Sequence, residues 1–213
     1  MGKIEEIVPR GVNWNKFREY YDSLLFSERE ELSVRFDSLF PKQRYFHKGQ
    51  FVKMLNMIDG DIKVVEFGCH DGSLAKETIP HVKNISMWYG FDFNTFSDRC
   101  FSIDKFKFIP LEKWFHDTKL PEFNVFVSSH SIEHISDIQA LKLLKHVSTA
   151  KHCLFEIPIN DEGRSWHNWG CSHVLTWGRI RLREIMNSLG YDLFYNLDSV
   201  GVTGWLKRDN IPL

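Results

Sequence analysis

A chain of 213 residues with 43% hydrophobic content, including 18 Phe and 7 Trp, carries enough apolar mass for one sizeable core. Its 27 basic side chains balance 28 acidic ones for a net charge of -1, so no global positive field holds a polyanion and nucleic acid is not an expected partner. No run approaches the roughly 18 apolar residues of a membrane span, the opening "MGKIEEIVPRG" lacks an apolar leader core, and Cys69, Cys100, Cys153 and Cys171 form no C-x-x-C pair, which predicts a soluble, cytoplasmic protein with reduced thiols.

In chain order, the apolar positions Trp14, Phe17, Tyr21, Leu24, Leu25 and Leu32 recur at near-helical spacing. They predict one or two amphipathic helices. Pro41 interrupts the pattern, and "KQRYFHKGQFVKMLNMI" resumes it up to the turn "DGD" at Asp59 to Asp61. Residues 1–60 therefore read as a helical extension or lid, and 61–213 as the main domain. Beyond the turn the period changes: "IKVVEF", "ISMWYGFD", "FKFIPL", "FNVFVSS" and "HCLFEIPI" are short and rich in β-formers, with helix-like "GSLAKETI" and "DIQALKLLKHV" between several of them. Alternating strands and helices predict a doubly wound α/β sheet, mainly parallel. After the helix "IRLREIMNSLG", the segment "YDLFYNLDSVGVTGWLKRD" adds two strands in an antiparallel hairpin.

In such a sheet a ligand sits beyond the carboxyl ends of the strands, and the first strand-to-helix loop touches it. That loop is "VVEFGCHDG", in which Gly68 and Gly72 allow a sharp turn and close backbone approach. A dinucleotide cradle reads G-x-G-x-x-G; here the spacing is G-x-x-x-G, preceded by the carboxylate of Glu66. A carboxylate there suits an ammonium or sulfonium group better than a phosphate. Asp92 ends the next strand in "YGFDFN", where it can accept both ribose hydroxyls. The two acids, with Cys69, His70 and Phe93 beside them, make a candidate site for S-adenosylmethionine. The plainer alternative for either acid is a cap on a strand end or following helix.

The sequence here resembles the class I S-adenosylmethionine-dependent methyltransferases of small-molecule type. The likeness runs from about Val64 to Val147: "VVEFGCHDG" is similar to their first glycine motif, "YGFDFN" to the acidic second motif, and "FNVFVSSHSIEHISD" to the fourth strand and its loop. It implies a Rossmann-like, seven-stranded sheet whose last strand is antiparallel. The chain departs from the pattern at His70, where many members have Gly.

Ser129, His130 and Ser131 follow the fourth strand, at the same sheet edge as the glycine loop. Methyl transfer needs alignment and, for a hydroxyl acceptor, removal of a proton, which a neutral imidazole of pKa about 6.5 performs near neutral pH. His130 is the first candidate base, with hydrogen bonding to the loop as its structural alternative. His134, in the "EH" pair of such relatives, reads as structural. No metal is required; if the segment is helical from His130, however, His130, Glu133 and His134 share one face and could hold a divalent ion, as the E-x-x-E-H of similar ubiquinone-biosynthesis enzymes does. The same H-x-x-E-H is found in inverted zinc peptidases, a reading opposed by the preceding buried strand.

The long connection "NDEGRSWHNWGCSHVLTWG" offers Arg164, Trp166, His167, Trp169 and His173 to an acceptor, and His173 is the second candidate base. Tyr45, His47 and Lys48 could close over the cofactor from the extension, and Trp114 could flank the adenine. The expected activity is O-methylation of a small polar or ring-bearing acceptor such as a sugar, sugar nucleotide or natural-product hydroxyl, by a possible homodimer. The alternatives are an NAD(P)-dependent dehydrogenase and a non-catalytic partner subunit that binds the same cofactor.

Overall fold

The structure is a computed structural model, and it describes residues 48–93, 103–157, 175, 177–197 and 201–208. The first described helix, α1 (Lys48–Leu55), leads through the turn at Gly60 into β1 (Ile62–Phe67). Then come α2 (Ser73–Thr78), β2 (Ile85–Asp92), β3 (Phe106–Pro110), β4 (Val125–Ser129), α3 (Asp137–His146), β5 (His152–Glu156), α4 (Arg179–Ser188), β6 (Tyr191–Leu197) and β7 (Val202–Lys207). Every strand lies within a segment that the β-rich runs predicted. The expected amphipathic helices over Trp14 to Phe40 lie outside the described residues.

The seven strands form one sheet in the order β3-β2-β1-β4-β5-β7-β6. The first five run parallel, and β7 pairs antiparallel with both β5 and β6. Strand order therefore reverses between β1 and β4, which opens a crevice at their carboxyl ends.

Both faces of the sheet are covered, as the near-continuous apolar strands require. On one face Val65, Phe67, Phe126 and Phe155 pack with Leu143 and Leu144 of α3 and with Leu182, Ile185 and Met186 of α4. On the other, Ile62, Val64, Trp88, Val127 and Leu154 meet Phe51, Met54 and Leu55 of α1 and Leu74 and Ala75 of α2. The apolar stripe of α1 thus shares a core with β1, and Gln50 is hydrogen-bonded to the hydroxyl of Tyr195 on β6. Among the described residues no helix is long and apolar enough to cross a membrane, and Cys69 and Cys153 are buried.

Candidate active site at the switch point

Strand alternation decides which side chains reach the crevice. Glu66 lies opposite Gly90 on β2 and Val127 on β4, so Glu66, Asp92 and Ser129 project from the same sheet face, near the carboxyl ends of three adjacent strands. Glu156 lies opposite Ser129 and joins them from β5. All four are buried.

The loop between β1 and α2 closes over this face. Gly68, His70 and Gly72 have φ of 75°, 51° and 70°, so the turn keeps its left-handed shape with a histidine at its centre. The backbone N–H of His70 donates to Asp92 Oδ2 at 2.7 Å, which ties the end of β2 to the loop. A Cβ at Gly68 would lie 2.1 Å from Ser131 Oγ, because that hydroxyl donates to the Gly68 carbonyl at 3.1 Å and to the Ser129 carbonyl at 2.9 Å. Ser131 thereby joins the two loops flanking the crevice. The Cys69 side chain turns inward against Gly90, where any Cβ would meet its Sγ at 2.7 Å. Phe93 stands edge-on to Phe67 and to Trp114, at 6.0 and 6.1 Å between ring centres.

Glu66 has a partner that the sequence reading missed. The indole N–H of Trp88 donates to Glu66 Oε2 at 2.8 Å, and the acid is 2% exposed. Burial pushes its carboxyl up to about 8; the Trp88 bond opposes this, and the negative charges of Asp92 and Asp71 add to it.

The loop after β4 differs from the sequence expectation. His130 has a φ of 49°, and the short 3₁₀ turn begins only at Ile132, so His130, Glu133 and His134 do not lie along one helical face. Among the described residues, no three His, Cys, Asp or Glu side chains are grouped to hold a metal ion. The His130 ring is instead bracketed by acids. Its Nδ1 is 3.4 Å from Glu133 Oε1 and its Nε2 is 3.3 Å from Glu156 Oε1. Glu156 also accepts from Ser129 Oγ at 2.8 Å, and its carbonyl accepts the His130 backbone N–H at 2.9 Å. Burial alone would lower the imidazole pKa, but the hydrogen bonds and charges of Glu133 and Glu156 outweigh it and raise it to about 10. The two acids thus favour the imidazolium over the neutral ring expected at this position.

His173, Arg164, Trp166, His167, Trp169, Tyr45 and His47 lie outside the described residues, as does the side chain of Lys48. Trp114 lies just before a short 3₁₀ turn, with its ring 6.0 Å from that of His116 and stacked on it.

Neither a protein-family model nor a curated protein sequence matches the chain. Solved structures do. One is the small RNA methyltransferase HEN1, at 15% identity and a TM-score of 0.61 over 80% of this chain and 27% of that one. An O-methyltransferase family protein from Burkholderia thailandensis is 10% identical, with a TM-score of 0.57 over 85% of this chain and 58% of its own. Magnesium protoporphyrin IX methyltransferase from Synechocystis PCC 6803, solved with bound SAH, is 12% identical with a TM-score of 0.56, over 92% of this chain and 100% of that protein. The chain thus spans about a quarter of the first of these and somewhat more than half of the second. With the strand order, the reversed β7 and the crevice between β1 and β4, these likenesses establish that the chain has the Rossmann-like fold of the class I S-adenosylmethionine-dependent methyltransferases.

Proposed function

We propose that this protein transfers the methyl group of S-adenosylmethionine to oxygen, or to nitrogen, of a small polar or ring-bearing acceptor. The observation that carries the reading is the pair Glu66 and Asp92, on one sheet face at the switch point and beneath the left-handed Gly68–Gly72 loop. Two acidic side chains beside a bare backbone suit a ligand with a ribose and a cationic end, and they offer a pyrophosphate no positive partner. That donor set fits the cofactor and gives the dehydrogenase alternative no support.

When bound, the cofactor supplies a methyl group already activated on a sulfonium, so the protein's task is alignment. Asp92, fixed by the His70 N–H, would take the ribose hydroxyls, and Phe93 with Trp114 would border the base. Gly68, Cys69, His70 and Gly72 would shape the methionine end, with Glu66 behind it, and Ser129 would hold the edge next to the acceptor. His130 would act there as a fixed cation whose ring is 36% exposed, not as a resting base. Proton removal from an acceptor hydroxyl then falls to His173 of the long loop. The three likenesses are to a small RNA methyltransferase, an O-methyltransferase family protein and a magnesium protoporphyrin IX methyltransferase, so the fold alone does not choose the acceptor. The balanced overall charge favours a small molecule over a polyanion.

Calorimetric titration with S-adenosylmethionine tests the reading. Asp92→Ala should weaken binding by roughly tenfold or more, a loss of the size expected for a charged hydrogen-bond acceptor. His130→Ala should leave affinity nearly unchanged while lowering turnover on an acceptor panel. Undiminished binding in Asp92→Ala would remove that acid from the site and the reading with it.

A further inference from the structure

Glu66 is buried in a central strand, and its recorded hydrogen bond comes from the neutral indole of Trp88, itself 0% exposed. Among the described residues, the charged groups acting on it are both negative: Asp92 at the end of β2 and Asp71 in the loop above. From β4 it faces Val127, and from the α2 layer Leu74 and Ala75 pack against the same strands; neither side supplies a charge. His70 offers its backbone N–H to Asp92 and its ring to Asp71, with Nδ1 3.4 Å from Asp71 Oδ1. Among the described residues no salt bridge to Glu66 is recorded within 4.0 Å. A carboxylate so placed is costly to ionise until a cation arrives beside it.

Resting on the proposed cofactor, we propose that Glu66 selects the charged methyl donor over its neutral product. The sulfonium of S-adenosylmethionine makes the ionised acid favourable, so binding expels a proton from Glu66. S-adenosylhomocysteine has the same amino, carboxylate and ribose groups but no sulfonium, so it leaves the acid protonated. The spent cofactor is released because the reaction has removed the charge that held Glu66 ionised. The raised carboxyl, near 8 without ligand, puts this exchange within the neutral range.

The test counts protons. The full chain is titrated with each ligand at pH 6.5, where both amino groups are already protonated, in two buffers of different ionisation heat. The expected result is release of about one proton with S-adenosylmethionine and far less with S-adenosylhomocysteine. Affinity for the donor should also strengthen by up to about tenfold per pH unit between 6.5 and 8. Glu66→Gln should abolish the release and shrink the preference for donor over product by roughly tenfold. Asp92→Asn is the contrast: weaker binding with the proton count retained. Binding of the donor with no proton exchange, or a Glu66→Gln protein that keeps the preference, overturns the inference and leaves the methyltransferase reading standing. Failure of the wild-type chain to bind either ligand overturns both. The wild-type proton count decides the matter even if the variant does not fold.

Discussion

At the scale of the residue, the site is a problem of where charge can rest. Glu156 is fully buried and holds both the Ser129 hydroxyl and the Nε2 side of the His130 ring, while Glu133 faces Nδ1, so the two N–H groups of the imidazolium face two separate carboxylates. Glu156→Gln removes one of them. The midpoint at which the His130 ring loses its proton should fall by about one unit or more, from near 10 toward the ordinary histidine value. Ring nitrogen chemical shifts followed against pH measure this directly. A histidine that already titrates near 6.5 in the wild type would show that the acids do not hold it. Glu66 and Asp92 were legible from sequence because short motifs place them at strand ends. Trp88 and Glu156 were not, since their bonds join residues 22 and 27 positions apart and depend on strand register that no local pattern specifies.

At the scale of the element, the two loops at the crevice behave as one unit. Ser131 connects them across 63 residues of sequence, filling the space a Cβ on Gly68 would need. Gly68→Ala therefore meets a crowded site and an unfavourable φ of 75° together. A stability loss of about 1–3 kcal/mol is expected by urea unfolding. Adding Ser131→Gly should recover part of it, because that second change relieves the crowding and leaves the φ strain. No recovery would mean the loops are not packed against each other there. Helical spacing from His130, the condition under which His130, Glu133 and His134 would share a face, is not formed in this second loop. The chain leaves β4 through a left-handed His130 whose N–H is bound to the Glu156 carbonyl, and this delays helical turns until Ile132. Elsewhere among the described residues the periodicity was a sound guide, and α3 opens on Ser136, whose side chain accepts the Gln139 N–H at its first turn.

At the scale of the whole molecule, the buried His152 and Glu66 and the partly buried His130 each contribute to how stability varies with pH. His152 faces Phe194, and burial, helped by Lys151, lowers its pKa to about 4, so the unfolded chain binds the extra proton between about 6.5 and 4 and stability falls as pH drops through that window. Glu66 and His130 have the opposite sign. Their folded pKa values of about 8 and about 10 lie above the ordinary ones, so the folded chain holds more protons and stability falls as pH rises, from about 4.5 to 8 for Glu66 and from about 6.5 to 10 for His130. Ligand-free melting temperatures should therefore be highest at mildly acidic pH and decline on both sides. Glu66→Gln should flatten the alkaline limb and His152→Gln the acidic one; identical profiles in all three proteins would show that these groups do not govern it. The overall architecture was readable because strands alternating with helices admit few topologies. The exact neighbours of β7 were set only by the completed sheet.

The placement of β7 also bears on synthesis. β5 lies inside the finished sheet, yet the strand that covers its outer edge is the last of the seven to be made. Until β7 is made and paired, the backbone of Cys153 to Phe155 has one open flank. A chain that stops short of Val202 therefore presents an unpaired β-edge, a template for contact with other unfinished chains.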